Sequence, residues 1–292
     1  MDVGKYVSFA GGFADGRGLG NQMFHLAAVI YVAELTGRQP GILTFPYKLA
    51  LDEIFDLGIR RFATLSPSYQ FGERESLMYD GRVEELVNGS RAEEARGKSV
   101  FLSGFFQSWK YTRNVENLLR KHFTFLPKIR QFVDEFRWST RPPGWTVYVR
   151  VGVHVRRGDV LHADKMKFGY TTPDERYFAH AMRHFADRFS RVQFVVACVD
   201  ADWCRRNFVD FAMTLPHRVN VTYVTPRSRG EDFAIVASCD HVIMSTGTYG
   251  WWAAWLAGGT TIYYSDWPRN GSVLAKKFRY EDYFPPHWIG MT

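Results

Sequence analysis

Val151-Gly152-Val153-His154-Val155-Arg156-Arg157-Gly158-Asp159 begins as a valine-rich run and ends in two arginines, a glycine and an aspartate. Near-continuous apolar residues predict a strand covered on both faces, and such strands belong to parallel sheets. The strand is expected over 146–155. Arginine grips phosphate oxygens in bidentate fashion and stays charged at any working pH. Gly158 lets the chain turn and brings backbone near a ligand. An isolated Arg-Arg-Gly-Asp is more often a strand end with a structural ion pair between an arginine and Asp159. Its place at the carboxyl end of a parallel strand, where such sheets bind ligands, raises the functional reading.

Downstream the pattern alternates. Helices are expected over 174–189, 203–211, 231–238 and 249–256, and strands over 192–199, 219–224, 242–245 and 260–264. This βαβα order predicts an α/β fold with helices on both faces of a parallel sheet. Upstream, Arg141-Pro142-Pro143-Gly144 cannot continue a helix and marks the best domain boundary. The domains are therefore 1–141 and 142–275, with 276–292 as a tail that packs back. The N-terminal domain opens with a strand over 6–10 and a glycine-rich turn, Gly11 to Asn21. A helix over 22–36 follows, with Phe24, Ala27, Ala28, Tyr31 and Leu35 at 3.6 spacing and Gly37 as C-cap signal. Between 40 and 137 the pattern is mixed. Ser99–Leu102 reads as a strand, followed by a loop in which Phe105, Phe106, Trp109 and Tyr111 are candidate sugar-stacking aromatics.

Three further motifs bear on chemistry. Ser245-Thr246-Gly247-Thr248 leads from a strand into a helix, where backbone N–H groups and hydroxyls make an anion site, although Ser and Thr also cap helices for structural reasons. Paired with the arginine motif, it suggests a pyrophosphate held from two sides. Glu231-Asp232 opens a helix; Asp232 can accept from the N1–H and exocyclic amine of guanine, or simply complement the helix N-terminus. Asp200-Ala201-Asp202 follows a strand, and an Asp-x-Asp pair can hold Mn²⁺ or Mg²⁺ against a nucleotide diphosphate. Helix capping by Asp200 is the favoured reading there.

The chain has 292 residues, 46% hydrophobic and 23% charged, with formal net charge +7. That suits one large or two ordinary globular domains and excludes general disorder. Basic charge favours polyanions, but the cations are scattered in ones and twos, which speaks against a nucleic-acid tract. No stretch is long and apolar enough for a transmembrane helix. Three of the seven asparagines, Asn88, Asn220 and Asn270, head glycosylation sequons, where chance supplies about one. This suggests a luminal protein whose anchor lies outside this chain. Cys204 and Cys239 are a possible disulfide pair; three free thiols, Cys198 included, are the equal alternative.

Together, Val151–Asp159, Trp203-Cys204-Arg205, Asp232-Phe233-Ala234, Ser245 to Gly250 and Trp252-Ala253-Ala254 resemble the galactoside α1,2-fucosyltransferases. Gly16 to Met23 is similar to that family's Gly-Arg-Leu-Gly-Asn-Gln signature, interrupted here by Gly18. The likeness runs from about residue 6 to 288. It implies a GT-B-like pair of Rossmann-like domains facing across a cleft, and an inverting, metal-independent transferase without cofactor. GDP-fucose would bind the C-terminal domain and a galactose-terminated glycan the N-terminal one. Donor-binding residues would be His154, Arg156, Arg157, Asp232, Ser245, Thr246, Gly247 and Thr248. Among them His154 and Asp232 would read the guanine and Arg156 the β-phosphate. Asn21, Gln22, Phe106 and Trp109 are the acceptor-side candidates. Arg156 and Asp159 are the catalytic candidates, Asp159 as base or as the partner that orients arginine, with Asp164 a further acid to consider. Animal members of the family are Golgi enzymes anchored by an N-terminal helix.

Two other readings remain at this level: a metal-dependent glycosyltransferase using Asp200 and Asp202, and a non-catalytic sugar-nucleotide or glycan-binding protein.

Overall fold

The structure, a computed structural model, describes residues 6–9, 18–43, 49–64, 66, 68–214, 218–225 and 227–292. Most of the expected glycine-rich turn, including Gly16 and Arg17 of the signature, lies outside the described residues. The chain forms two compact α/β units, 1–126 with 277–286, and 127–276 with 287–292.

In the first unit five parallel strands pair in the order β3-β2-β1-β5-β4: β1 Tyr6–Phe9, β2 Gln39–Leu43, β3 Arg60–Phe62, β4 Ser68–Gly72 and β5 Ser99–Ser103. The Leu19–Thr36 helix is apolar almost all round and correspondingly buried from Met23 to Ala33. Gly37 ends it in the left-handed conformation, φ 64°, which a glycine adopts without strain.

In the second unit six parallel strands follow: β6 Val149–Val155, β7 Val192–Cys198, β8 Val219–Tyr223, β9 His241–Met244, β10 Thr261–Tyr264 and β11 Ile289–Met291. Their order is β11-β10-β9-β6-β7-β8. This is the doubly wound dinucleotide-binding topology, with its reversal between β6 and β9. Val151, Val153 and Val155 of β6 meet Phe178, Phe194 and Ile243 in one apolar cluster. On the other face Gly152 makes room for the Arg229–Ala237 helix: a Cβ there would come within 2.9 Å of Val236. The buried Tyr177 hydroxyl bonds the Met244 and Ile262 carbonyl oxygens at 2.6 and 3.2 Å, pinning β9 to β10.

The division falls at Leu126/Pro127 rather than at the Pro142-Pro143 turn. The Pro127–Ser139 helix packs on Arg229–Ala237, the guanidinium of buried Arg150 stacks on Phe136 at 5.7 Å, and Gln193 Nε2 donates to Thr140 O at 2.6 Å. These contacts tie 127–140 to the second unit. The expected C-terminal tail is divided too. Residues 277–286 belong to the first unit, where the Asp282 carboxylate takes Lys110 Nζ and, at 3.0 Å, the Tyr79 N–H. Residues 287–292 supply β11.

The cysteine expectation is corrected. Cys198, at the end of β7, is disulfide-bonded to Cys204, in the first turn of the Ala201–Thr214 helix, and Cys239 is a buried free thiol. Among the described residues no helix is long and apolar enough to cross a membrane.

Candidate active site

The arginine motif and the Ser-Thr-Gly-Thr turn leave adjacent strands, β6 and β9, at the switch point of the sheet. The Arg156 backbone N–H donates to Ser245 Oγ at 2.8 Å, and the Ser245 N–H returns to His154 O at 3.0 Å. Gly247 has φ 94°, and a Cβ there would fall 2.1 Å from Arg156 Nη1. The glycine therefore admits the guanidinium over the turn, a close approach that any larger residue would prevent. Gly250 does the same for His154: its absent Cβ would lie 2.4 Å from Nδ1.

His154 is buried, stacked on Tyr249 with centroids 5.3 Å apart, and 3.4 Å from Ser245 Oγ through Nδ1. Burial first, and the Arg156 charge second, press its pKa down to about 3, so the ring is neutral at working pH. Among the described residues the buried Thr246 Oγ1 has no hydrogen-bond partner, which a buried hydroxyl usually has. Thr248 is half-buried at the start of the Thr248–Ala257 helix.

The Arg156 guanidinium is paired with Asp159, Nη2 to Oδ2 at 2.9 Å. Burial works to raise the Asp159 pKa, but the hydrogen bonds and charge of Arg156, with help from Lys165, hold it below the ordinary carboxylate value. Asp164 is exposed in the short Ala163–Phe168 helix. Arg157 lies over the Trp203 ring, Cζ to centroid 4.1 Å, and 3.9 Å from Asp200 Oδ2.

The two aspartates of the Asp-x-Asp pair do other work. Asp200 Oδ1 accepts from the Trp203 N–H at 3.0 Å, as a helix cap does, while Asp202 is 3.9 Å from Arg205. Among the described residues no group of three or more His, Cys, Asp or Glu converges on a common point.

Asp232 sits in the first turn of Arg229–Ala237 and accepts from the Arg227 N–H at 3.4 Å. Burial, with the neighbouring Glu231 charge, raises its pKa against that bond. Tyr249, which sequence reasoning did not single out, joins the two motifs. It stacks on His154, meets Phe233 edge-on at 5.2 Å, and donates to Arg229 O at 3.0 Å. Its place, four residues after Ser245 at the head of the Thr248–Ala257 helix, was the available signal.

In the first unit the acceptor-side candidates fare differently. Phe106 is corrected: it is fully buried at φ 52°, packed against Phe9 and Tyr111, and so presents no face to a sugar. Gln22 is also buried, its carbonyl oxygen taking the Leu51 N–H at 3.4 Å. Asn21 accepts from Gln107 Nε2 at 3.0 Å. Trp109 is half-exposed, its indole N–H anchored to Glu281 O at 2.9 Å. A residue not foreseen is Glu73, just past β4. Its Oε2 accepts the Phe105 and Phe106 N–H groups at 2.8 and 2.9 Å, and burial pushes its pKa up to about 8.

Residues 14–292 match the model of glycosyl transferase family 11. The chain belongs to that family. This family 11 glycosyltransferase is 31% identical over 284 residues to galactoside alpha-(1,2)-fucosyltransferase 1 of Homo sapiens, covering 96% of the chain and 74% of the relative. It is 30% identical over 273 residues to galactoside alpha-(1,2)-fucosyltransferase 2 of Sus scrofa, covering 94% and 77%. Among solved structures it resembles a mutant of Arabidopsis thaliana FUT1 in complex with GDP (TM-score 0.58, 12% identity, 96% of this chain and 74% of that one). It also resembles NodZ alpha-1,6-fucosyltransferase soaked with GDP-fucose (TM-score 0.55, 18% identity, 90% and 95%). These likenesses make the fold GT-B-like, in keeping with its two parallel-sheet units.

Proposed function

We propose that this family 11 enzyme transfers L-fucose from GDP-β-L-fucose to the 2-hydroxyl of a terminal galactose on a glycan, with inversion at the anomeric carbon. The observation that carries the reading is the meeting of Arg156 with the Ser245–Thr248 turn at the β6–β9 switch point. The names of the relatives support a galactoside acceptor and an α1,2 linkage, and the ligands of the solved neighbours support a GDP-linked donor.

In this reading the acceptor hydroxyl oxygen attacks the fucose anomeric carbon as the bond to the β-phosphate oxygen breaks, and its proton passes to the departing diphosphate or to solvent. Negative charge grows on the departing diphosphate. Arg156, steadied by Asp159 and seated over Gly247, stabilises that charge, so the reaction needs no metal ion there. The unpartnered Thr246 hydroxyl adds a donor. Asp232 and neutral His154 take the guanine edge. Asp159 serves the arginine and not the acceptor proton.

The test is a glycan array incubated with the protein and GDP-fucose in EDTA. Fucose should appear on galactose-terminated glycans and be released by an α1,2-specific fucosidase. Transfer of another sugar, or activity only with added Mn²⁺, would overturn the reading.

We also propose a Golgi-lumen location. Exposed Asn88 and Asn270 and the Cys198–Cys204 disulfide support an oxidising, glycosylating compartment. Mass loss on endoglycosidase treatment of secreted protein is the expected outcome, and no loss would count against it.

A further inference from the structure

We propose that Trp203 is a positioning residue, the platform that holds the Arg157 guanidinium ready for a phosphate oxygen of the donor. The inference rests on the donor reading above and goes beyond it by assigning a role outside the strand-end and turn motifs.

Arg157 has little else to hold it. Among the described residues its buried Nε has no hydrogen-bond partner, and the Asp200 carboxylate, at 3.9 Å, is too far for a strong bond. The close contact is the indole, with Cζ 4.1 Å from the ring centroid, well inside cation–π range. A free arginine side chain would lose rotamer freedom on meeting a ligand; one already stacked loses less.

The platform is itself fixed. Trp203 packs edge-on against Phe178 and Phe208, at 6.3 and 5.8 Å. Its N–H is capped by Asp200, and the next residue, Cys204, is tied by the disulfide to Cys198 at the end of β7. Since β7 lies beside β6, this rigid corner stands next to the strand end that carries Arg157. A contact made equally in bound substrate and in transition state changes affinity and not turnover. Arg157 and Trp203 should therefore act on KM, where Arg156 acts on kcat.

The experiment measures GDP affinity by calorimetry, and KM and kcat for GDP-fucose. Trp203→Leu should weaken GDP binding and raise KM together, by about two- to thirty-fold, with kcat held within about twofold. Trp203→Phe, which keeps an aromatic face, should restore most of the loss. In an Arg157→Ala background Trp203→Leu should add nothing, because the two act as one unit. Full additivity in that background would reduce Trp203 to packing and overturn the proposal. So would a fall in kcat at unchanged KM. These outcomes leave the donor reading standing; a wild-type protein that binds no GDP would overturn both.

Discussion

The guanidinium of Arg156 is bound to the carboxylate of Asp159, with Nη2 2.9 Å from Oδ2 and Nε 3.4 Å from Oδ1. A carboxylate so engaged, with its pKa held low, is a poor proton acceptor and a good clamp. Arg156→Lys should lower kcat several hundred-fold, about 3–4 kcal/mol by analogy with a lost oxyanion donor, since lysine lacks the planar fork. Asp159→Asn should lower GDP affinity as well as rate. Steady-state kinetics with calorimetry decide: near-normal kcat in Arg156→Lys refutes the diphosphate role, and a pure rate loss in Asp159→Asn would make Asp159 the base.

Gly247 carries two constraints, φ 94° and the seat of Arg156 Nη1. Gly247→Ala should displace the guanidinium and cost about 1 kcal/mol or more of stability from the backbone alone. Activity should fall much more than the melting temperature. A variant with normal kcat would show that the seat is not needed.

His154 has a folded pKa of about 3, below the ordinary imidazole value of 6.5. Below pH 6.5 the unfolded chain binds a proton that the folded chain refuses. Stability should therefore be complete above that pH and be lost as pH falls toward 3. Denaturant unfolding at pH 7 and pH 5 should give a steeper loss for wild type than for His154→Asn. Parallel losses would argue against a neutral, buried ring.

Glu73 runs the other way, with its pKa raised from 4.5 to about 8. Between those values the folded chain keeps a proton that the unfolded chain has released. Stability falls as pH rises through that window, by at most about 1.4 kcal/mol per pH unit. Glu73→Gln retains a carbonyl oxygen for the Phe105 and Phe106 N–H groups and cannot ionise. Its advantage over wild type should grow from pH 5 to pH 8 and then level off. A constant difference across that range would contradict the assignment.

Asp232 is the expected reader of guanine. GDP should inhibit far better than UDP, and Asp232→Asn should erode the preference. Equal inhibition of wild type by both nucleotides would remove the residue from base recognition.

The second unit was legible because its chemistry is repetitive. Val149–Val155 and Val192–Cys198 are buried on both faces and read as apolar runs, and Asp174 caps the Glu175–Ala186 helix between them. The first unit hid its strands. β2 contains Pro40 and Gly41, β3 is three residues with two arginines, and β4 is mostly polar. The cysteine pairing was not legible, because it takes the start of the Ala201–Thr214 helix to carry Cys204 back over the strand end to Cys198. Phe106 looked like a surface aromatic because it lies in a loop, but its positive φ accompanies a ring buried in the core. No residue type announces Glu73; only burial makes it unusual.

The course of the C-terminus bears on how this enzyme can be taken apart. Residues 277–286 complete the first unit and 287–292 the sheet of the second. Neither unit is therefore a contiguous stretch of gene. A truncation ending at Lys276 would strip β11 from β10 and leave an open sheet edge prone to association. Chimeras that graft another family member's acceptor-side unit must exchange two segments at once, and a single crossover would split the Lys110–Asp282 pair between parents.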